Sequence, residues 1–114
     1  MIDIKIRTKT FAINMIKACR KIKYTDINSI LIKQLVRSTT SVGANVRAYS
    51  RARSKNEAYS KLCIVVEEAD EVVYWLELLI EIDGEFAEIA NMYDEAEQIL
   101  KIMNSIKSKL KDEI

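Results

Sequence analysis

Histidine and proline are absent from this chain of 114 residues, and glycine occurs only twice. Without histidine the chain lacks the commonest general base, every Cys–His or Ser–His catalytic pair and the usual nitrogen ligand of zinc and di-iron sites. With so few turn formers, the sequence favours long helices joined by short connections over a turn-rich β fold. The sequence therefore predicts an all-α protein that is not an enzyme, has no catalytic residues and needs no metal or other cofactor.

Cysteine is almost as scarce, since only Cys19 and Cys63 occur, 44 residues apart. Both lie inside apolar helical patterns, where a small buried thiol is commoner than a disulfide or a reactive nucleophile. We therefore expect two buried free thiols.

Long apolar runs are also missing. A membrane span would need about 18 apolar residues, and the longest candidate, residues 72–82, is interrupted by Glu77 and Glu81. The first ten residues alternate charged and apolar side chains, unlike the continuous apolar core of a signal peptide. These observations predict a soluble, cytoplasmic protein without a membrane partner.

Charge is divided unequally along the chain, although the formal net charge is only +1. Residues 1–56 carry 13 Lys/Arg and 2 Asp/Glu, whereas residues 57–114 carry 5 Lys/Arg and 15 Asp/Glu. An uncompensated basic surface attracts polyanions, so this asymmetry indicates a partner rather than a fold.

Four amphipathic stretches predict four helices, over about 4–22, 27–49, 55–84 and 85–111. Thr25 or Asp26 offers an N-cap for the second, and Ser54-Lys-Asn-Glu57 is a capping box for the third. Asp83-Gly84 supplies the glycine cap that ends the third. Helices with such stripes and short loops bury them best as an antiparallel up-down-up-down four-helix bundle, a single domain over residues 1–114. A dimer of two-helix pairs is the alternative.

The predicted core consists of residues that recur three or four positions apart within each helix. They are Phe11, Met15, Ala18 and Ile22; Leu31, Leu35, Thr39, Val42, Val46 and Tyr49; Ala58, Leu62, Val65, Ala69, Val72, Leu76 and Leu79; and Ile89, Met92, Ala96, Ile99, Met103, Ile106 and Leu110.

Three large apolar residues of the third helix, Ile64, Trp75 and Leu78, fall opposite its core stripe on a helical wheel. Such a cluster on an outer face favours an oligomer contact over scattered surface hydrophobic residues. We therefore expect self-association.

The second helix carries a basic stripe on the face away from its core residues. Lys33, Arg37, Arg47 and Arg51 share this face over about 27 Å at 1.5 Å per residue, and Arg53 and Lys55 extend it around the following loop. Arginine suits phosphate well because its planar fork donates in pairs. The stripe predicts contacts with a nucleic-acid backbone.

Neutralisation within the protein is the competing interpretation of this stripe. The acidic residues Glu67, Glu68, Asp70 and Glu71 of the third helix could pair with it, inside the bundle or between subunits. A carboxylate-only metal site at that cluster is the less favoured alternative to a solvated or salt-bridged helix face.

The second helix contains several small residues, which are Ser38, Ser41, Gly43, Ala44 and Ala48. They would let another helix approach closely. Asn45 lies beside the core stripe, where its amide could pair with groups across helices.

The order of these motifs along the chain resembles a known family. They are Leu35-Val-Arg-Ser-Thr-Thr-Ser-Val-Gly-Ala-Asn45, Arg51-Ala-Arg-Ser-Lys-Asn-Glu57, Lys61-Leu62 and Glu67-Glu-Ala-Asp-Glu-Val-Val-Tyr-Trp-Leu-Glu-Leu-Leu79. The chain is similar over nearly its whole length to the bacterial proteins named for reading frames in intervening sequences of 23S ribosomal RNA genes, also labelled S23 ribosomal protein.

The resemblance implies a left-handed four-helix bundle that assembles into a homopentameric ring without established enzymatic activity. It places the family's small-polar motif on Ser38, Ser41 and Asn45, and its basic loop on Arg51, Arg53 and Ser54. Members commonly carry an acidic residue where this chain has Ala48, so the network joining that carboxylate to the arginines is absent or rebuilt. In architecture the family is also similar to the accessory variability determinant of diversity-generating retroelements, a basic ring that binds nucleic acid and a reverse transcriptase.

From the sequence we expect a homo-oligomeric bundle that binds nucleic acid, RNA rather than DNA. The expected binding residues are Lys33, Arg37, Arg47, Arg51, Arg53 and Lys55. The alternative is an oligomeric scaffold or accessory subunit that docks a protein partner such as a reverse transcriptase, with the basic half serving assembly.

Overall fold

The computed structural model describes residues 3–82 and 87–114, and all regular structure in these ranges is α-helical. The helices are α1 (Ile4–Cys19), α2 (Asp26–Ser50), α3 (Lys55–Ile82), the short α4 (Ala87–Ala90) and α5 (Tyr93–Lys111). The prediction of an all-α helical protein is confirmed. The predicted glycine cap at Asp83-Gly84 and the predicted helix start at Glu85 lie outside the described residues.

Side-chain caps mark where α1, α2 and α3 begin. The Asp3 carboxylate accepts from the Lys5 amide at 2.7 Å, and the Thr25 hydroxyl accepts from the Asn28 amide at 3.0 Å. At the start of α3 the Ser54 hydroxyl accepts from the Glu57 amide at 3.0 Å. The Glu57 carboxylate lies 3.6 Å from Nε of Arg53. The serine contact of the predicted capping box is therefore present, whereas the glutamate side chain pairs with Arg53 of the preceding loop.

Two helix boundaries differ from the prediction. The first helix ends at Cys19 rather than near Ile22, because the amides of Lys21 and Ile22 bond three residues back and tighten the chain into a turn. The predicted last helix is divided between α4 and α5, where the Met92 amide bonds to the Ile89 carbonyl at 2.9 Å. The apolar stripe continues through this turn, so periodicity alone could not reveal it.

The predicted core stripe is confirmed, since each of its residues is buried or half-buried. Leu35, Leu62 and Leu76 are completely enclosed. The half-buried members lie mostly near helix ends; they are Ile22, Leu31, Tyr49, Ala58, Met92, Ile106 and Leu110.

The long helices pack as a bundle in which α2 lies along α3, α1 along α2, and α5 along α3. Polar contacts between helices join Arg37 to Glu71, Tyr93 to Glu77 and Lys55 to Glu113. The hydrogen bond from the Tyr93 hydroxyl to the Glu77 carboxylate raises the pKa of Tyr93. The described helices form an elongated body of 46 × 22 × 19 Å with α2 and α3 at its centre.

Gly43 of α2 lies beside the backbone of α1. A Cβ atom built at Gly43 would lie 3.6 Å from the Thr8 carbonyl oxygen and 3.9 Å from the Lys9 nitrogen, both ordinary van der Waals distances. Its φ angle is not positive. The predicted close approach by small residues is thus present at this position, but alanine also fits there.

Replacing Gly43 by alanine should therefore stabilise the protein. Glycine in a helix interior costs roughly 0.5–1 kcal/mol relative to alanine, so G43A should raise the free energy of unfolding by about that amount. Urea denaturation followed by circular dichroism measures the change, with K33A on the exposed face of α2 as a near-neutral control. A lower free energy of unfolding for G43A would show that the α1 backbone cannot accommodate a methyl group.

Candidate nucleic-acid interface

The basic stripe predicted on α2 lies on the surface of the bundle. Its four cations, Lys33, Arg37, Arg47 and Arg51, are exposed, as are Thr40 and Ala44 between them. The two cations of the following loop, Arg53 and Lys55, are exposed as well. The structure therefore places all six predicted binding residues within reach of solvent, although their electrostatic surroundings differ.

Arg37 is engaged by α3. Its Nη2 donates to Oε1 of Glu71 at 2.9 Å, and its Nη1 lies 3.4 Å from Oε2 of Glu68. Nη2 also lies 3.4 Å from the hydroxyl of the buried Ser38. Since two carboxylates face this guanidinium, Arg37 belongs to the α2–α3 contact and is the least available of the six cations.

Removing the Arg37 side chain should destabilise the fold. Oε2 of Glu68 is buried without a hydrogen-bond donor, and that side chain is only 14% exposed, so Arg37 is the charge that compensates it. Because Arg37 is itself 53% exposed, we expect R37A to lower the free energy of unfolding by about 1–2 kcal/mol.

Denaturant unfolding measures this effect, with R47A on the same helix as the matched control that should change stability by less than about 0.5 kcal/mol. The double variant R37A/E68Q should recover part of the loss because the buried side chain of residue 68 then carries no charge, although Glu71 still lacks its partner. Equal stabilities for R37A and R47A would contradict a structural role for Arg37.

The loop cations Arg53 and Lys55 form only loose ion pairs. Nε of Arg53 lies 3.6 Å from Glu57, and Nζ of Lys55 lies 3.8 Å from Glu113. The Arg53 side chain is 90% exposed. Exposed pairs of this kind contribute little free energy, so both cations are available to another anion.

Lys33, Arg47 and Arg51 have no carboxylate within 4.0 Å in residues 3–82 and 87–114. Their charge is not neutralised within the described part of the chain. Together with the loop they form the uncompensated part of the basic stripe.

Two lysines of α1 join this surface, and the sequence analysis missed them. Lys5 and Lys9 line a groove between α1 and α2, the α1/α2 groove, with a volume of about 190 Å³. Its other lining residues are Ala12, Thr40, Gly43, Ala44 and Arg47. The spacing of four between Lys5 and Lys9 was visible in the sequence, but their placement beside the small residues of α2 was not.

The small-polar motif of α2 is satisfied locally. The Asn45 amide nitrogen donates to the Ser41 carbonyl at 2.9 Å and to the Ser41 hydroxyl at 3.1 Å, within the same helix. The expectation that this amide pairs across helices is therefore wrong. Ser38 is fully buried and faces Glu71.

The apolar outer face of α3 is smaller than predicted. Ile64 is exposed, whereas Trp75 and Leu78 are half-buried, and Trp75 packs against the core. Tyr74 is exposed instead and meets the Trp75 ring edge-on, with ring centroids 5.2 Å apart. Trp75 is therefore less exposed than its position on the helical wheel predicts, and its role in self-association stays a prediction.

The two cysteines are free, and they differ in exposure. Cys19 is buried, and desolvation raises the pKa of its thiol to about 11. Cys63 is half-buried rather than buried. The prediction of a buried thiol is therefore confirmed for Cys19 and wrong for Cys63.

Between α1 and α5 an ion pair crosses a groove. Arg7 donates from Nε and Nη2 to both carboxylate oxygens of Glu95, at 2.9 and 2.6 Å, and from Nη2 to Gln98 at 2.9 Å. The hydrogen bond from Arg7 to Glu95 raises the pKa of the guanidinium. A groove of about 670 Å³ lies beside Arg7 between α1 and α5, and its lining combines the apolar Ile4, Ile102 and Ile106 with the polar Asp3, Arg7, Ser105 and Lys109.

The described residues contain no helix long and apolar enough to cross a membrane. In the same ranges no three acidic or cysteine side chains come together as a possible metal site. The acidic cluster of α3 is instead partly engaged by Arg37.

Comparison with known proteins identifies a family and a similar solved structure. The model of a family described as 23S rRNA-intervening sequence protein matches residues 2–105. A crystal structure from Bacteroides thetaiotaomicron, described as a protein with unknown function from the S23 ribosomal protein family, superposes with a TM-score of 0.80 at 30% identity. The alignment covers 92% of this chain and 98% of that chain. No curated protein matches.

Proposed function

Because this chain belongs to the 23S rRNA-intervening sequence protein family, we propose that it is a non-enzymatic, oligomeric bundle that binds RNA. The observation that carries the proposal is the uncompensated part of the basic stripe. Lys33, Arg47 and Arg51 are exposed, lie along one face of α2 and have no carboxylate within 4.0 Å in the described chain. Cations arranged in this way attract a polyanion and release its condensed counterions.

RNA is favoured over DNA because the family's description refers to 23S rRNA. Phosphate contacts would supply the affinity, with Arg53 and Lys55 adding contacts at the loop. Within residues 3–82 and 87–114 the most exposed aromatic side chains are Tyr24 and Tyr74, and both lie outside the stripe. Without an aromatic platform among the cations, binding would depend little on base sequence. The protein would act in the cytoplasm.

The proposal includes an antiparallel up-down-up-down bundle. Thr8, near the start of α1, faces Gly43 towards the end of α2. The start of α5 meets the end of α3 through Tyr93 and Glu77, whereas the start of α3 meets the chain end through Lys55 and Glu113. Such end-to-start pairings support antiparallel neighbours.

Self-association into a ring, with five subunits as the expected number, is also part of the proposal. Exposed Ile64 and Tyr74 on α3 are its support, since large apolar side chains on an outer face are typical of subunit contacts. Sedimentation velocity at several protein concentrations measures the assembly, and I64D should dissociate it.

A second candidate function is an oligomeric scaffold for a protein partner. The observation that favours it is the pairing of Arg37 with Glu68 and Glu71, which shows that basic α2 matches acidic α3 within one subunit. The same match could form between subunits or with a protein partner such as a reverse transcriptase. In either case the stripe would serve assembly.

Fluorescence anisotropy with labelled RNA tests the proposal against this alternative. A 23S rRNA fragment, a random RNA and a DNA duplex are titrated at 50 and 200 mM salt. Five phosphate contacts predict a slope of log affinity against log salt of about −3.5 for single strands, which is roughly a 100-fold loss over this range. Absence of micromolar binding to any RNA at 50 mM salt would contradict RNA binding, and salt-sensitive assembly in its place would favour the scaffold.

A further inference from the structure

The α1/α2 groove brings cations from two helices onto a floor of small residues. Lys5 and Lys9 form the wall on α1, and Arg47 forms the wall on α2. Between them lie Ala12, Thr40, Gly43 and Ala44, none of which extends far enough to fill the space. Gly43 adds no side chain to this floor, and the backbone of α1 at Thr8 lies within 4 Å of where its Cβ would be.

No internal anion occupies this groove. None of its three cations lies within 4.0 Å of a carboxylate in residues 3–82 and 87–114. The Thr40 hydroxyl bonds back to the carbonyls of Val36 and Arg37, and the Asp3 carboxylate caps the Lys5 amide. Three like charges thus converge on one cavity without compensation, an arrangement that an external anion would stabilise.

Phosphate fits this arrangement better than a carboxylate does. The oxygens of a phosphate point in several directions, so the group can accept hydrogen bonds from opposite walls at once. A carboxylate presents both oxygens in one plane and on one side. Lysine acts on phosphate as a mobile point charge, and arginine adds a paired donor. The mixture of two lysines and one arginine on facing walls suits a tetrahedral oxyanion.

We propose that the α1/α2 groove is a phosphate-binding site formed by Lys5, Lys9 and Arg47, in which a phosphate group of RNA or of a free polyphosphate sits between the two helices. For RNA the inference rests on the proposed function, and it moves the centre of the binding surface from the outer stripe of α2 to the groove beside it. For free polyphosphate it stands alone.

Two variants of the full chain test the groove by charge and by shape. K5Q/K9Q removes the α1 wall and should reduce the salt slope by about 1.4 and weaken RNA binding by roughly 25-fold at 0.1 M salt. A44L fills the floor without changing charge and should weaken binding about fivefold, the equivalent of one lost phosphate contact.

Each variant has a matched control. K17Q/R20Q removes two exposed cations, Lys17 of α1 and Arg20 directly after this helix. Lys17 lies about 12 Å along the helix from Lys9, beyond the screening length of about 10 Å at 0.1 M salt. S60L adds the same leucine at an exposed position of α3. Both controls should change the affinity by less than about twofold, and circular dichroism confirms folding of all four variants.

Titration of the ¹⁵N-labelled protein with inorganic pyrophosphate, followed by amide shifts, separates the two phosphate sources. Shifts at Lys5, Gly43 and Ala44 that are lost in K5Q/K9Q would support the groove, even if no RNA binds and the proposed function fails. Wild-type RNA affinity in K5Q/K9Q and A44L, without pyrophosphate shifts at these residues, would overturn the groove and leave the proposed function standing. If RNA does not bind and pyrophosphate causes no shifts, both the groove and the proposed function are overturned.

Discussion

Simultaneous replacement of Arg47, Arg51 and Arg53 by alanine is expected to weaken RNA binding on the order of 100-fold at 0.1 M salt. Each phosphate contact contributes about 0.7 to the salt slope for a single strand, which corresponds to roughly fivefold in affinity at this salt concentration. All three side chains are exposed, and among the described residues only Arg53 has a carboxylate nearby, at 3.6 Å. The triple variant should therefore have a lower RNA affinity and an unchanged fold, because no buried carboxylate loses its cationic partner.

The matched control is the triple variant K101A/K109A/K111A, which removes three exposed cations from α5. Helix α5 packs on α3 and not along α2, so these lysines lie on another face of the bundle. Anisotropy titrations at three salt concentrations measure both affinity and slope. Equal losses for the two triple variants would indicate a response to net charge and would refute the assignment of the site to α2.

Replacing Leu76 by alanine is expected to lower the free energy of unfolding more than any other variant proposed for this protein. Leu76 lies on α3, the central helix, and is completely buried. Replacing a buried leucine by alanine costs about 2–5 kcal/mol through lost burial and the cavity that remains. Since the whole stability of a domain of this size is of the order of 5–15 kcal/mol, L76A should lower the denaturation midpoint strongly.

The control for this effect is I82A on the same helix, where the side chain is 59% exposed. It should cost less than about 1 kcal/mol. Both unfolding curves are recorded at one protein concentration, because self-association would add to the measured stability. A similar midpoint for the two variants would mean that the α3 stripe does not form the core.

Arginines of one stripe separate into two roles. Arg37 is neutralised by Glu68 and Glu71 of α3, whereas Arg47 has no carboxylate within 4.0 Å in the described residues. The excess positive charge of α2 is thus paired with α3 at Arg37 and remains unpaired at Arg47. R37A tests the first role through the free energy of unfolding, and the triple variant of Arg47, Arg51 and Arg53 tests the second through RNA affinity.

Much of the fold could be predicted because helical periodicity is a local property. The three-and-four spacing from Phe11 to Met15 or from Leu62 to Leu76 is set by 3.6 residues per turn, and each residue of these stripes is buried or half-buried. Capping by Thr25 and Ser54 is equally local. Where exposure depends on neighbouring helices, as at Trp75 and Cys63, the observed burial differs from the sequence prediction.

The sequence by itself determined the helical class and the buried stripe, because these follow from the order of residues along each helix. It also determined how unequally charge is divided between the two halves of the chain. Only the tertiary structure decided which cations remain unpaired, since that depends on whether a carboxylate of another helix lies within a few ångströms. It also placed Lys5 and Lys9 beside Arg47, a neighbourhood of residues about 40 positions apart that no local pattern encodes. Electrostatic interactions act through space rather than along the chain, and for that reason the candidate site emerged only once the helices were packed.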